Sequence, residues 1–444
     1  MAFVSGTNRA SRRRVFAASF VGTSIEWYDY HIFGVASALV FGSLFFPRFD
    51  ATASTLAAFA TFAVGFVARP IGAVVVGHFG DRVGRKAMLV LTLVLTGGST
   101  FLIGVLPPYT AIGMTAPLLL VILRIVQGFG VSGEWGGAVL IAAESAPPNR
   151  RSVYACFAQF GVPIGVLTSN LAFLAVSGMG EESFDAYGWR IPFLVSILLV
   201  AFGLYVRVRL AESAEFEGVR RANAVVKVPV RELLHRHPRE LGLAALAAMA
   251  PPALGYIVIV YMLAYGTGQA GYERGTLLTL ILSSTVIWMG AIYAAAHAAD
   301  RLGAKKVYIA GAALAVIWPI PMFALVDTGE VSRALVAFAV AAIVQGIMAG
   351  AQGGLFAEIF DVRVRYSGIS IAYSTGGTIG GALTPLIAAA LFHFYASGTA
   401  VAVYVSLVSL ASLAAAIKIG TAGGSLDRFR GRLRTLVPER LRVR

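Results

Sequence analysis

Apolar residues run through this chain in long blocks. Twelve stretches, at roughly 16–46, 54–80, 87–107, 115–144, 154–178, 190–211, 239–265, 275–299, 306–326, 333–357, 366–394 and 398–420, carry almost no charge. Each is about 20 residues or longer, enough for a helix to cross a hydrocarbon layer of about 30 Å. The pattern predicts an all-α membrane protein of twelve transmembrane helices. The longest polar connection, residues 212–238, holds Glu212, Glu215, Arg220, Arg221 and Lys227 and separates spans six and seven. It divides the chain into a first half (1–211), a linker (212–238), a second half (239–420) and a basic tail (421–444). The first block follows Arg12-Arg13-Arg14 and continues to Phe46, too long for the apolar core of a cleavable signal, so it is a retained span.

Composition agrees with this reading. Of 444 residues, 58% are hydrophobic and 13% charged, too little charge for a soluble domain of this size. The single cysteine, Cys156, excludes a disulfide framework and a thiolate metal cage. A net charge of +14 raises the question of nucleic acid, which the placement of the charge answers. Of 36 Lys and Arg, 30 fall in the N-terminus, the even-to-odd connections and the tail. Arg48, Arg190, Arg274 and Arg333 lie at the other surface, and Arg69 and Arg124 within spans. This is the positive-inside rule, with both termini cytoplasmic and no nucleic-acid partner. The tail from Arg428 to Arg444 reads as a juxtamembrane segment beside anionic lipid.

The halves repeat one another. His78-Phe-Gly-Asp81-Arg82-Val-Gly84-Arg85-Lys86 after span two returns as His297-Ala-Ala-Asp300-Arg301-Leu-Gly303-Ala304-Lys305 after span eight, 219 positions later (297 less 78). Val126-Gln127-Gly128 matches Val344-Gln345-Gly346 at an offset of 218 (344 less 126). Ala143-Glu144 with Arg151 matches Ala357-Glu358 with Arg365 at 214 (358 less 144). Both halves start in the cytoplasm, a parallel arrangement that puts a solute site between them near the midplane.

The segment Gly77-x-x-Gly80-Asp81-Arg82-x-Gly84-Arg85-Lys86 resembles the signature loop of the major facilitator superfamily. Finer marks resemble its metabolite:proton symporter family, which includes permeases for shikimate, α-ketoglutarate, citrate and proline or betaine. They are Gly22-Thr-Ser-Ile-Glu26-Trp27-Tyr28-Asp29-Tyr30, Arg69-Pro70-Ile-Gly72, Leu123-Arg124 through Glu134-Trp135-Gly136-Gly137, Trp189-Arg190-Ile-Pro192-Phe193, and Arg365-Tyr366-Ser367-Gly368-Ile-Ser370. The resemblance covers nearly the whole chain. It implies the major facilitator fold, with two pseudo-symmetric six-helix halves, in a monomer of the bacterial inner membrane that works by proton-driven symport.

The candidate charges deep within the spans are Glu26 and Asp29 in span one, Arg69 in span two, and Arg124 and Glu134 in span four. A charge at the bilayer centre costs about 2.5–3.5 kcal/mol on insertion scales and persists where it has a partner or a task. Glu26, Arg69 and Glu134 lie about nine or ten residues from the cytoplasmic ends of their spans, roughly 15 Å deep. A static network holding the first half together is one reading, and Arg69 fits it. Three acids nonetheless face two arginines. The carboxyl left over in a low dielectric is the kind of group that can take a proton on one side and release it on the other. Asp29 or Glu26 is the expected carrier, with Glu134 the third candidate. Arg124 is the expected anchor for a substrate carboxylate, which a guanidinium holds bidentately. Arg69, Tyr30, Gln127, Tyr256, Gln345 and Tyr373 complete the expected solute site. At offset 218, Arg124 corresponds to Ala342 and Glu134 to Gln352, so the second half keeps the scaffold without the charges. It offers uncharged lining such as Tyr256, Tyr261, Trp288, Gln345 and Tyr373, each of which also fits plain packing or an aromatic belt.

Asp81 and Arg85 lie just outside span two, where they can pair with a neighbouring helix terminus and hold the cytoplasmic side closed. The resemblance implies such a latch, with Arg82 and the second copy, Asp300 and Arg301, as further members. Ala304 replaces Arg85 in that copy, which predicts a weaker contact. A basic loop that only fixes topology explains Arg82 and Lys86 but not an aspartate in both halves. His31, beside Asp29, is either a proton relay or a hydrogen-bonded core histidine. Gly161-Val-Pro163-Ile-Gly165 reads as close helix packing. No Walker loop, metal cluster or nucleophile–base pair is present, so no cofactor, metal or enzymatic activity is expected. The expected function is proton-coupled uptake of a small organic acid. The alternatives are a zwitterionic osmolyte, its cation held on Trp27, Tyr30 and Tyr256, and a sensor on a transporter scaffold.

Overall fold

A computed structural model describes residues 9–208, apart from positions 50, 148, 178 and 180, and residues 229–420. Most of the expected linker, the basic tail, and the side chains of Arg85 and Glu134 lie outside the described residues. No strand occurs among those described. Hydrocarbon offers the backbone no hydrogen-bond partner, so each apolar block closes its own ladder as a helix.

The helices are α1 (residues 9–45), α2 (Ala51–Val83), α3 (Arg85–Val105), α4 (Thr115–Ser145), α5 (Arg151–Ser177) and α6 (Arg190–Val208). After a short helix Pro229–Arg236 come α7 (residues 238–268), α8 (Arg274–Leu302), α9 (residues 304–326), α10 (Val331–Ala357), α11 (residues 365–395) and α12 (Gly398–Lys418). Among the described residues, ten helices are long and apolar enough to cross a membrane. An eleventh span is α9, bent by 45° where Pro319 removes a backbone donor, and α1, the first helix of the bundle, brings the number of long helices to twelve. Single π-helical turns interrupt α1 at Ser37–Phe41 and α7 at Ile257–Tyr261, 220 positions apart (257 less 37).

Side chains facing outward are apolar, among them Val67, Ile71, Leu198, Val286 and Leu386. Small residues set the closest crossings, because lipid provides no hydrophobic drive between helices and contact must come from backbone approach. Gly128 of α4 lies on the Gly65 carbonyl of α2, and its repeat partner Gly346 of α10 lies on Ala291 of α8. Gly161 and Gly165 of α5 pack on Thr23 and Trp27 of α1. Contacts between the first six and last six helices run through α5 with α8 and α10, and through α11 with α2 and α4. The lysines of the two repeated loops close helix ends. Lys86 Nζ donates to the Val208 carbonyl (2.6 Å), and Lys305 Nζ to those of Ile417 and Ile419 (2.9 and 2.7 Å).

Gly128→Leu and Gly346→Leu are expected to force their helix pairs apart. Overpacking of this kind costs about 1–3 kcal/mol. A thermal-unfolding scan in detergent should show both variants melting several degrees below the parent, while Gly290→Leu, with open space at its Cα, melts with it.

Candidate functional site

Halfway along α1, two guanidinium groups lie over the Tyr30 ring, Arg69 of α2 at 4.4 Å and Arg124 of α4 at 4.3 Å from its centroid. Arg124 also covers Phe33 (4.2 Å) and Phe62 (4.8 Å), and Arg69 covers Phe66 (5.0 Å) and Trp27 (5.5 Å). The glycine crossing of α2 and α4 makes room: a Cβ on Gly65 would stand 2.5 Å from Arg124 Nε. Arg124 donates to Gln127 Oε1 at 2.5 Å. The Gln127 amide donates to Thr100 Oγ1 (2.8 Å) and the Asp29 carbonyl (3.2 Å). Gln127 therefore orients Arg124 from behind, and the structure does not give it the free face expected of a solute contact. Arg69 Nε and Nη2 and Arg124 Nε have no hydrogen-bond partner among the described residues. Stacking on rings gives about 0.5–2 kcal/mol per cation and leaves those donors available to an anion.

Asp29 points away from this pair. It is fully buried, with Oδ2 directed at Gly97 of α3, and neither oxygen has a hydrogen-bond partner among the described residues. Thr100 stands beside it but gives its hydroxyl proton to the Thr96 carbonyl (2.9 Å). Glu26, one turn earlier, is buried and faces Arg69 and a third arginine, Arg207. Counting basic residues by position put Arg207 among the cytoplasmic charges, because it is the penultimate residue of α6. Its guanidinium instead turns back into the bundle, donates to the Leu89 carbonyl (2.5 Å) and seats on Gly22. The available signal was Gly22-x-x-x-Glu26, a one-turn spacing that sets a gap beside an acid on one helix face. With Arg207 the buried arginines number three, as many as the acids counted in the spans, and the expected surplus carboxyl does not follow from the count. Neither Asp29 nor Glu26 makes an ion pair with a described cation, but Glu26 faces two arginines and Asp29 faces none. The Glu134 side chain is outside the described residues.

The second half supplies aromatic rings. Tyr256 of α7 meets Phe66 edge-on at 5.9 Å, within electrostatic reach of Arg69 and Arg124. Tyr373 of α11 stacks on Trp135 of α4 at 3.7 Å, within reach of Arg69 and Glu26. Gln345 donates to the Pro251 carbonyl (3.2 Å) against Gly255, tying α10 to α7. Trp288 packs in one cluster with Trp27, Tyr30 and Phe66, whereas Tyr261 stacks with Tyr265 in a separate one. His31 Nδ1 lies 2.9 Å from the Trp27 carbonyl, a core hydrogen bond that requires the proton on Nδ1.

At the end of the bundle carrying the basic loops, the two halves hold each other's helix termini. Asp81 accepts from Tyr366 N (3.2 Å), Ser367 N (2.9 Å) and Ser367 Oγ (2.7 Å) at the start of α11. Asp300 accepts from Ser152 N (2.7 Å) and Val153 N (3.1 Å) at the start of α5. A carboxylate on the free N–H groups of a helix start is favoured by both hydrogen bonding and the dipole. Glu144 pairs with Arg365 at 3.1 Å, both side chains little exposed, and Glu358 faces Arg151 in the mirrored place. Burial, working against those arginines, holds the Glu358 carboxyl above its ordinary range. Arg82 and Arg301 are exposed and are not brought to this contact. The Arg85 side chain is outside the described residues.

A sequence model of the Major Facilitator Superfamily matches residues 14–385. The inner membrane metabolite transport protein YhjE of Escherichia coli is 41% identical over 405 residues, 90% of this chain and 92% of its own. The shikimate transporter of the same organism is also 41% identical, over 406 residues and the same shares. A proline/betaine transporter of Salmonella typhimurium is 31% identical over 393 residues, 85% of this chain and 77% of its own. Among solved structures, the proton:xylose symporter XylE bound to 6-bromo-6-deoxy-D-glucose aligns with a TM-score of 0.75 at 19% identity, covering 94% of this chain and 97% of that one. That likeness establishes the fold.

Cys156, buried one turn into α5, reports on the interlocked end. Asp81→Ala and Asp300→Ala each remove a helix cap worth about 1 kcal/mol and should speed its labelling by N-ethylmaleimide several-fold. Asp81→Ala, which loses three accepted bonds to the other's two, should have the larger effect, and Arg82→Ala none. Parent-like rates in both aspartate variants would show that the caps do not keep this end shut.

Proposed function

Since the chain belongs to the major facilitator superfamily, and is therefore a membrane transporter and not an enzyme, we propose that it takes up a small organic acid together with protons by alternating access. The observation that carries this reading is the pair of buried guanidinium groups over the Tyr30 ring with donors left unpaired. Such a pair matches the planar, two-oxygen shape of a carboxylate. Arg124, held by Gln127, is the anchor. Arg69 is the second donor, and Tyr256 and Tyr373 close the site from the other half.

Asp29 is the favoured proton carrier. A carboxyl enclosed without a cation, with the Thr100 hydroxyl beside it, is accommodated as the neutral acid, because an unpaired charge there is expensive. Glu26, between Arg69 and Arg207, is the second titrating group. The interlocked basic end is the cytoplasmic gate, closed in this state, with access from the periplasmic side. The protein works as a monomer in the bacterial inner membrane with both termini in the cytoplasm, its halves (1–211 and 239–420) rocking about the linker. Its tail lies near anionic lipid. Of the aromatic faces that a quaternary ammonium would need, those of Trp27 and Tyr30 carry Arg69 and Arg124 instead, which leaves Tyr256 and disfavours an osmolyte. The two relatives at 41% identity include the shikimate transporter, so a hydroxylated cyclic acid is the first solute to try.

Uptake of radiolabelled shikimate and a panel of di- and tricarboxylates into vesicles should become concentrative when an inward proton gradient is imposed and collapse with a protonophore. Arg124→Ala should weaken apparent affinity at least about 30-fold, the low end of removing one partner from a buried charged contact. Asp29→Asn should abolish accumulation while leaving exchange. Accumulation indifferent to the protonophore, or full uptake by both variants, would refute the proposal.

A further inference from the structure

The repeat puts unlike groups in equivalent places around the solute site. At the offset of 219 that relates His78 to His297, Arg69 of α2 corresponds to Trp288 of α8 (288 less 69). The mounting is shared. Gln127 holds α1 and α3 through the Asp29 carbonyl and Thr100, while Gly128 beside it seats α4 on Gly65 of α2. Gln345 holds α7 through the Pro251 carbonyl against Gly255, while Gly346 beside it seats α10 on Ala291 of α8. Gly255 immediately precedes Tyr256, and Ala291 follows Trp288 by about one turn, so one Gln-Gly pair fixes both aromatic residues in register. The Tyr256 ring meets Phe66 at 5.9 Å, and Trp288 packs in one buried cluster with Phe66, Trp27 and Tyr30. Trp288 Nε1 and Tyr256 Oη are buried without a hydrogen-bond partner among the described residues, as are Arg69 Nε and Nη2 across the site. Buried polar groups are ordinarily paired, in roughly nine cases of ten. Trp135 and Trp189 also have unpartnered indole nitrogens, but in other clusters. The buried polar residues described in α7–α12 carry no charge.

We infer that the solute is a hydroxy acid held in one direction, its carboxylate on Arg69 and Arg124 of the first half and its hydroxyl groups on Trp288 and Tyr256 of the second. This rests on the proposed reading of the arginine pair as a carboxylate site. Donor chemistry narrows the ligand. An indole N–H only donates, so the group facing Trp288 must accept, which admits a hydroxyl and excludes an ammonium. A second carboxylate would also accept, but there it would be buried without a cation, a cost that a hydroxyl does not carry. The Tyr256 hydroxyl both donates and accepts, and so pairs with a hydroxyl in either sense. A solute without hydroxyl groups strands both donors in the buried site, which is how a polar site rejects a plain isostere. Trp288 is thereby a specificity-determining residue, in the place where the first half keeps a cation.

Equilibrium binding of labelled acids to the full chain in detergent tests this, with two pairs that differ only in hydroxyl groups. They are shikimate against cyclohex-1-ene-1-carboxylate, and gluconate against hexanoate. For at least one pair the parent should prefer the hydroxylated member about 25-fold or more, fivefold for each of two buried donors that the deoxy acid strands. Trp288→Phe and Tyr256→Phe should each shrink that ratio about fivefold, by weakening the hydroxy acid and leaving or tightening its deoxy partner. Trp189→Phe, which removes an unpartnered indole from a separate cluster, should leave the ratio at the parent value. A ring that only packs would, when changed, weaken both acids alike and keep the ratio. That outcome, or a parent ratio near one, would overturn the inference. Tyr256→Phe, which loses a single oxygen, decides the matter if Trp288→Phe does not insert. If none of the four acids binds, or Arg124→Ala leaves binding at parent strength, the carboxylate reading falls and takes this inference with it.

Discussion

Hydrocarbon contains no water to satisfy a polar group, and the architecture of this chain follows from that. Every backbone segment crossing the layer must be a helix. Every charge inside must be held by carbonyls, rings or an opposite charge. Arg124 shows the solution in concentrated form: a glutamine on one nitrogen, a backbone carbonyl at 3.5 Å, and three aromatic faces. Arg207 uses a carbonyl and a glycine seat. Helix crossings built on glycine are what allow such bulky cations to lie between helices without opening voids.

The twofold repeat divides into what is kept and what is lost. Helix-terminus caps, the close glycine crossings and the π turns of α1 and α7 recur at matched places. The buried charges do not. Gln352, which takes the place of Glu134 in the second half, accepts a hydrogen bond from Gln159 of the first half at 3.1 Å. An uncharged pair across the interface can slide or part without exposing an unpaired ion, which suits a half that moves against a charged neighbour.

Much of the fold was legible in the sequence, since block length, basic loops and repeat offset each follow from a strong physical constraint. The aspartates at equivalent positions pointed to a helix-end contact because few other tasks require an acid there in both halves. The site was legible by residue type and less so by direction. Residue type and depth point to Tyr30, Arg69 and Arg124, but a linear reading cannot tell that one ring carries both cations. Gln127 and Gln345 have the residue type of solute contacts, whereas three-dimensional packing turns both onto their neighbours as supports. Arg207 escaped because position along a helix locates the Cα, while a long side chain carries its charge several ångströms further, in either direction.

The reciprocal caps at the basic end have a further consequence. Each half contributes one aspartate and one helix start, so closure is a bivalent contact. Once Asp81 has engaged α11, Asp300 meets α5 at a high effective concentration, set by two rigid bundles instead of by free diffusion. In the proposed gate, individually modest hydrogen bonds thereby act as one unit. A transporter is served by that behaviour, because a gate that frayed one contact at a time would leak solute between its states.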